Sequence, residues 1–179
     1  MALSNYTEAK ILTRGSYYMT PLNITHIDEL EENLSPENKR EIYLLGYDNI
    51  RQALFEMYQT AQSYVVKKQD GKILLVGGLW FSEDQDFPQM FAMFTNDAFD
   101  KFTFLARGSR MLLNYLKEQE PHITMTILSD YEGIISWALW LGFEPVGFTE
   151  TKYAKYVEFI HCNLDQNCVY DKPQRPVIH

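Results

Sequence analysis

Cysteine, histidine and positive charge are all scarce in this chain, and each shortage removes a class of function. The two cysteines, Cys162 and Cys168, stand alone near the C-terminus, which suits neither a disulfide framework nor a zinc cluster and reads as two reduced thiols. The histidines, His26, His122, His161 and His179, offer no pair at metal-ligand spacing on one element, so no metal is expected. Lysine and arginine number 16 against 24 acidic residues, a net charge of −8, which disfavours nucleic acid as a partner. Arg107-Gly108-Ser109 is not the Gly-x-Ser-x-Gly turn of a serine hydrolase. No apolar run approaches the ~20 residues of a membrane span, and Met1 to Lys10 lacks the basic-then-apolar profile of a secretory signal. A cytosolic protein is expected, in which the sequons at Asn5, Asn23 and Asn33 have no meaning.

What the chain does have is apolar and aromatic surface, 46% and 15% of its 179 residues, enough for one sizeable core and short for two. From Leu164 the composition changes to polar residues with Pro173 and Pro176, so a single domain over 1–163 and an extended tail over 164–179 are expected.

The pattern along the chain alternates strands and helices. Tyr17 to Leu22 reads as a first strand, and a helix follows over Ile27 to Leu34. Ser35, Pro36 and Glu37 are a capping serine, a first-turn proline and a first-turn acid, starting a helix that should stop at Gly46. Asp48 is the expected cap of a third helix carrying Ile50, Leu54, Met57, Tyr58 and Ala61 on one stripe. Strands at 63–68 and 73–81 flank Asp70-Gly71, a hairpin signal, and Gly77-Gly78 suggests a bulge or a close backbone approach. Gln89 to Thr95 reads as a central strand, and 98–118 as one helix with Leu105, Gly108, Leu112 and Leu116 inward. A strand over 123–128, a helix over 132–141 and a closing hairpin of 145–149 with 156–162 complete the order.

The helix over 132–141 ends in Leu141-Gly142-Phe143 before Pro145, where the glycine supplies a left-handed residue and the phenylalanine folds back onto the last turn. That ending, in this order of elements, resembles the GNAT N-acyltransferase superfamily across 17–163. The segments Leu34 to Ile42 with Gly46, Phe102 to Leu116, and Ser136 to Phe143 resemble more closely a branch carried by tailed bacteriophages, the internal virion protein A and acetyltransferase-like proteins of podophages. The implied fold is α/β (α+β): a mixed, mostly antiparallel sheet of six to seven strands with helices on both faces.

In that superfamily acetyl-CoA lies in a V-shaped opening between the fourth and fifth strands, with its pyrophosphate at the start of the following helix, where orphan amides and the dipole favour an anion. The resemblance places Met93, Phe94 and Thr95 along the pantetheine arm and Arg107, Gly108, Ser109 and Arg110 at the pyrophosphate. Of the family's Gln/Arg-x-x-Gly-x-Gly/Ala loop, Thr103 to Gly108 keeps only the last position; the plainer reading of Gly108 is a small residue that lets helix and sheet pack closely. The family's tyrosine acid falls on Ala138. Tyr131 and Glu83 are the candidates left for acid and base, against plainer readings as a packing ring and a solvated acidic turn. Two functions follow from the resemblance. The first is a catalytically degenerate phage protein of virion morphogenesis or the particle interior, in host cytoplasm or virion, without cofactor, contacting phage structural proteins or its own copies. The alternative is an acetyl-CoA-dependent N-acyltransferase acting on a protein or a small amine.

Overall fold

The computed structural model describes residues 9–99 and 102–162, with the backbone alone for Phe102 and Phe104. The elements are β1 (Leu12–Arg14), β2 (Tyr17–Pro21), α1 (Ile27–Asn33), α2 (Pro36–Leu44), α3 (Ile50–Thr60), β3 (Gln62–Lys68), β4 (Ile73–Trp80), β5 (Gln89–Phe94), α4 (Asn96–Phe99), α5 (Phe102–Gln119), β6 (His122–Leu128), α6 (Glu132–Leu141), β7 (Glu144–Glu150) and β8 (Lys155–Cys162). They build one eight-stranded sheet in the order β1-β2-β3-β4-β5-β6-β8-β7, antiparallel everywhere except between β5 and β6. The strand beyond the expected six or seven is β1, whose three residues are all exposed and so leave no alternating signature to read.

Local chemistry sets the helix boundaries. Ser35 caps α2 by accepting from the Asn38 amide at 3.3 Å, and Gly46 follows the helix at φ 93. The cap of α3 is Asn49, not Asp48: its side chain accepts from the Gln52 amide at 2.8 Å, which the neighbouring aspartate does not do. Of the helix expected over 98–118, the described residues form α4 and α5, both helical; residues 100 and 101 lie outside the described residues. Gly142 ends α6 at φ 96, and the Phe143 amide donates back to the Ala138 carbonyl at 3.1 Å while its ring is buried. Cys162, at the end of β8, is disulfide-bonded, which corrects the expectation of reduced thiols: spacing alone does not report a bond. Cys168 and the tail lie outside the described residues.

Each face of the sheet has its own core. On one, α5 and α6 bury Leu112, Leu116 and Trp137 against Leu75, Phe94, Met125 and Phe159. On the other, α1, α2 and α3 bury Leu30, Ile42, Leu54 and Met57 against Val65, Val76 and Met93. Gly77 and Gly78 mark a close approach in β4: a Cβ on Gly78 would lie 2.0 Å from the Gln62 carbonyl oxygen, and one on Gly77 would lie 2.7 Å from that of Phe91. Gly108 is different. A Cβ there meets Leu75 and Val66 at an ordinary 3.5 Å.

Opposite outcomes are therefore expected from alanine at these glycines. Gly108→Ala should raise stability by about 0.5–1 kcal/mol through the helix propensity of alanine. Gly78→Ala should lower it by about 1–3 kcal/mol through overpacking against backbone. Urea unfolding midpoints measure both, and a loss at Gly108 would contradict the packing described.

Candidate functional site

The two parallel strands diverge almost as soon as they meet. Register between β5 and β6 holds at one pair, Gln89 with Thr124, supported by the Thr124 amide donating to the Pro88 carbonyl at 3.0 Å. Beyond it Gln89 Nε2 donates across the gap to Thr126 Oγ1 at 2.7 Å, and the strands then separate. A cavity of about 1220 Å³ occupies the wedge. Odd residues of β5 pair with β4, as the Thr95 amide to the Leu74 carbonyl continues, so the N–H and C=O of Met90, Ala92 and Phe94 face the wedge.

The far end of the wedge is closed by the start of α2. Asn38 Oδ1 accepts from the Phe94 amide at 2.8 Å, the Ser35 amide donates to the Phe94 carbonyl at 2.9 Å, and Leu34 bridges to Thr95. On the opposite bank the Tyr131 hydroxyl donates to the Glu37 carbonyl at 2.7 Å, and Arg40 pairs with Asp130 at 2.9 Å while lying over the Tyr131 ring. Ala92 is left as the residue whose backbone groups face the open part of the cavity.

Three polar side chains give the cavity its chemistry. Glu41, on the turn of α2 after Asn38, is partly buried, and burial pushes its carboxyl up to about 7 against a weaker opposing hydrogen bond from Asn38 Nδ2 at 3.5 Å. Tyr156, at the start of β8, is 4% exposed and its hydroxyl has no hydrogen-bond partner among the described residues. Its pKa is raised, first by burial and then by the charge of Glu41. Trp137 Nε1 is a buried donor, likewise without a partner among the described residues. Buried donors without a protein partner that line a cavity are satisfied by whatever fills it, water or ligand.

The residues read from sequence are distributed unevenly around this geometry. Met93 pairs with Val76, Phe94 is held by α2, and Thr95 Oγ1 donates to the Ile73 carbonyl at 2.7 Å, so the three offer the wedge no unpaired backbone group. Arg107, Gly108, Ser109 and Arg110 lie inside α5, past the four amides that a helix leaves free at its start. Ser109 Oγ donates to the Leu105 carbonyl at 2.6 Å, and Arg110 stacks on Trp140 at 4.1 Å. Tyr131 does line the cavity, with its hydroxyl committed to Glu37. Glu83 sits in the exposed turn before β5 and is not among the lining residues. Ala138 is fully buried in the core. Sequence reasoning missed Glu41, Tyr156, Trp137 and Ala92. Glu41 carries a usable signal, an acid on the same side of α2 as Asn38 and Ile42, whereas nothing in the sequence marks Tyr156.

The fold built around this sheet is similar to that of acetyltransferases of known structure. The fold is the GNAT fold. The ribosomal-protein-S5-alanine acetyltransferase of Vibrio fischeri matches at a TM-score of 0.62 and 10% identity over 86% of this chain and 97% of its own. A GNAT-family acetyltransferase of Bacillus anthracis matches at 0.67 and 9% over 84% and 97%. Spermidine N-acetyltransferase of Vibrio cholerae, in complex with CoA and spermine, matches at 0.66 and 10% over 83% and 96%. No protein-family model and no curated protein matches the chain. No cluster of residues able to hold a metal, and no helix long and apolar enough to cross a membrane, occurs among the described residues.

The raised pKa of Glu41 has a stability signature. Between its ordinary 4.5 and about 7 the folded state holds the proton more tightly than the unfolded chain, so stability falls as pH rises through that window. The cost above pH 7 is on the order of 2–3 kcal/mol. Glu41→Gln should match the parent at pH 4 and exceed it at pH 8, as read from denaturant midpoints. Parallel pH profiles for the two proteins would refute the placement of this carboxyl.

Proposed function

We propose that the protein is an acyl-CoA-dependent N-acyltransferase in which Glu41 removes the proton of the acceptor amine. The observation that carries this reading is a carboxyl poised near neutral pH inside the wedge, in the electrostatic reach of a partnerless buried phenol. An amine attacks a thioester only as the free base, and a base whose pKa lies near the working pH is the most effective at producing it. The ammonium first gives a proton to Glu41; the C–N bond of the free amine then forms as the C–S bond breaks, the Tyr156 hydroxyl protonates the leaving thiolate, and the second nitrogen proton, released as the amide forms, restores the Tyr156 phenol. The backbone N–H of Ala92 and Trp137 Nε1 are the donors available to the carbonyl oxygen as it gains charge.

The thioester end of an acyl-CoA fits these groups. Its pyrophosphate finds no glycine loop within α5, and contacts from Arg107 or Arg110 would be made by side chains. Acetyl-CoA is the first co-substrate to test. Glu41→Gln should lower kcat by about 10²–10⁴-fold and remove the acidic limb of its pH profile near 7, and Tyr156→Phe should lower it by about 10²-fold. Equal turnover by parent and Glu41→Gln would end this reading.

One observation favours a second reading, a catalytically silent GNAT-fold component of a phage particle: Ser35 and Asn38 occupy the stretch of β5 edge at Phe94 along which a pantetheine arm would pair. A melting temperature that stays flat up to millimolar acetyl-CoA supports that reading, and a saturable rise supports the enzyme.

A further inference from the structure

The cavity has a second arm, on the α2 and α3 side of the sheet, that the transfer chemistry leaves unused. Its walls are Tyr47, Met57, Trp80 and Phe91. The rings of Trp80 and Phe91 stand 5.2 Å apart at 51°. Trp80 Nε1 donates to Thr60 Oγ1 at 3.1 Å, and the Tyr47 hydroxyl interacts with Glu56, which with burial pushes it up to about 12. The indole nitrogen of Trp80 is thus satisfied by α3, leaving the hydrocarbon and π surface of these walls for an occupant.

The charges lining the cavity limit that occupant further. Among the described residues four carboxylates line the cavity: Glu37, Glu41, Asp130 and Glu132. Asp130 is paired with Arg40, and Glu37, Asp130 and Glu132 are exposed at the rim. Glu41 alone among them is withdrawn from solvent. One interior carboxylate neutralises one ammonium, and a second or third cation on the same ligand would be desolvated against Met57 and the aromatic walls without a partner.

We infer that the acceptor is a primary monoamine on an apolar, ring-bearing body, an arylalkylamine, with its nitrogen at Glu41 and its body against the surface that the touching rings of Trp80 and Phe91 present to the cavity. Aromatic walls suit both parts of such a ligand, since the ring stacks on them and the ammonium is drawn to their faces. The transfer step rests on the acyltransferase reading, whereas the binding preference does not.

Calorimetry of the full chain at pH 8 with 2-phenylethylamine and with spermidine, at matched ionic strength, tests the preference directly. The monoamine should bind saturably and at least tenfold more tightly than the polyamine. Trp80→Ala should weaken it about tenfold, and Phe91→Leu, the milder change, should weaken it severalfold with an unchanged melting temperature. Tighter binding of spermidine, no binding of the monoamine, or indifference to both substitutions overturns the inference. Acetyl transfer is then scored separately. Binding of 2-phenylethylamine without transfer to any amine sinks the acyltransferase reading and leaves the preference standing. Transfer to spermidine or to a lysine peptide, but not to 2-phenylethylamine, sinks the preference and leaves the enzyme.

Discussion

The architecture turns on a hydrogen-bond ladder that is begun and then abandoned. The strands β5 and β6 share one register pair at Gln89 and Thr124, and everything past that point is held apart by what lies between and across them. Backbone groups stripped of a partner in a protein interior are costly, so each has to be answered individually. At Phe94 the answer comes from the chain itself, through Asn38 and Ser35. At Ala92 the edge is left facing a cavity. Sheet, helix cap and site are in this sense one problem in satisfying polar groups, and the short segment from Leu34 to Glu41 solves most of it.

The same segment explains why a carboxyl of raised pKa is found where no family position announced one. Capping α2 with Ser35 and docking Asn38 on β5 fixes the helix rotation, and Glu41, one turn further along, follows Asn38 toward the interior. Burial then raises its pKa, and its charge in turn acts on Tyr156. The shift arises from packing geometry rather than from a neighbouring ion, a route to near-neutral acids that buried carboxylates in general share.

Much of the fold was legible in the residues. Ser35-Pro36-Glu37, Asp70-Gly71 and Leu141-Gly142-Phe143 are local devices whose chemistry is complete within a few residues, and each stands where it was expected. The Leu105, Gly108, Leu112 and Leu116 face is buried against the sheet for the same reason: helical period is a local property. What escaped was relational. The strand β1 is three exposed residues that owe their conformation to β2, and the choice of Asn49 over Asp48 depends on which side chain reaches Gln52. The site escaped for the same reason. Glu41, Trp137 and Tyr156 come from three elements far apart in the chain, and their meaning lies in the burial of the first and the missing partners of the other two among the described residues. Position matching sent the search to Ala138 and to the interior of α5, where the structure offers a core methyl and closed helical amides.

Because α2 grips Phe94 on one bank and Asp130 with Tyr131 on the other, the width of the wedge and the seating of that helix form a single mechanical coordinate. Ser35 to Arg40 bridge the two strands, so a shift in the seat of that helix moves both banks together.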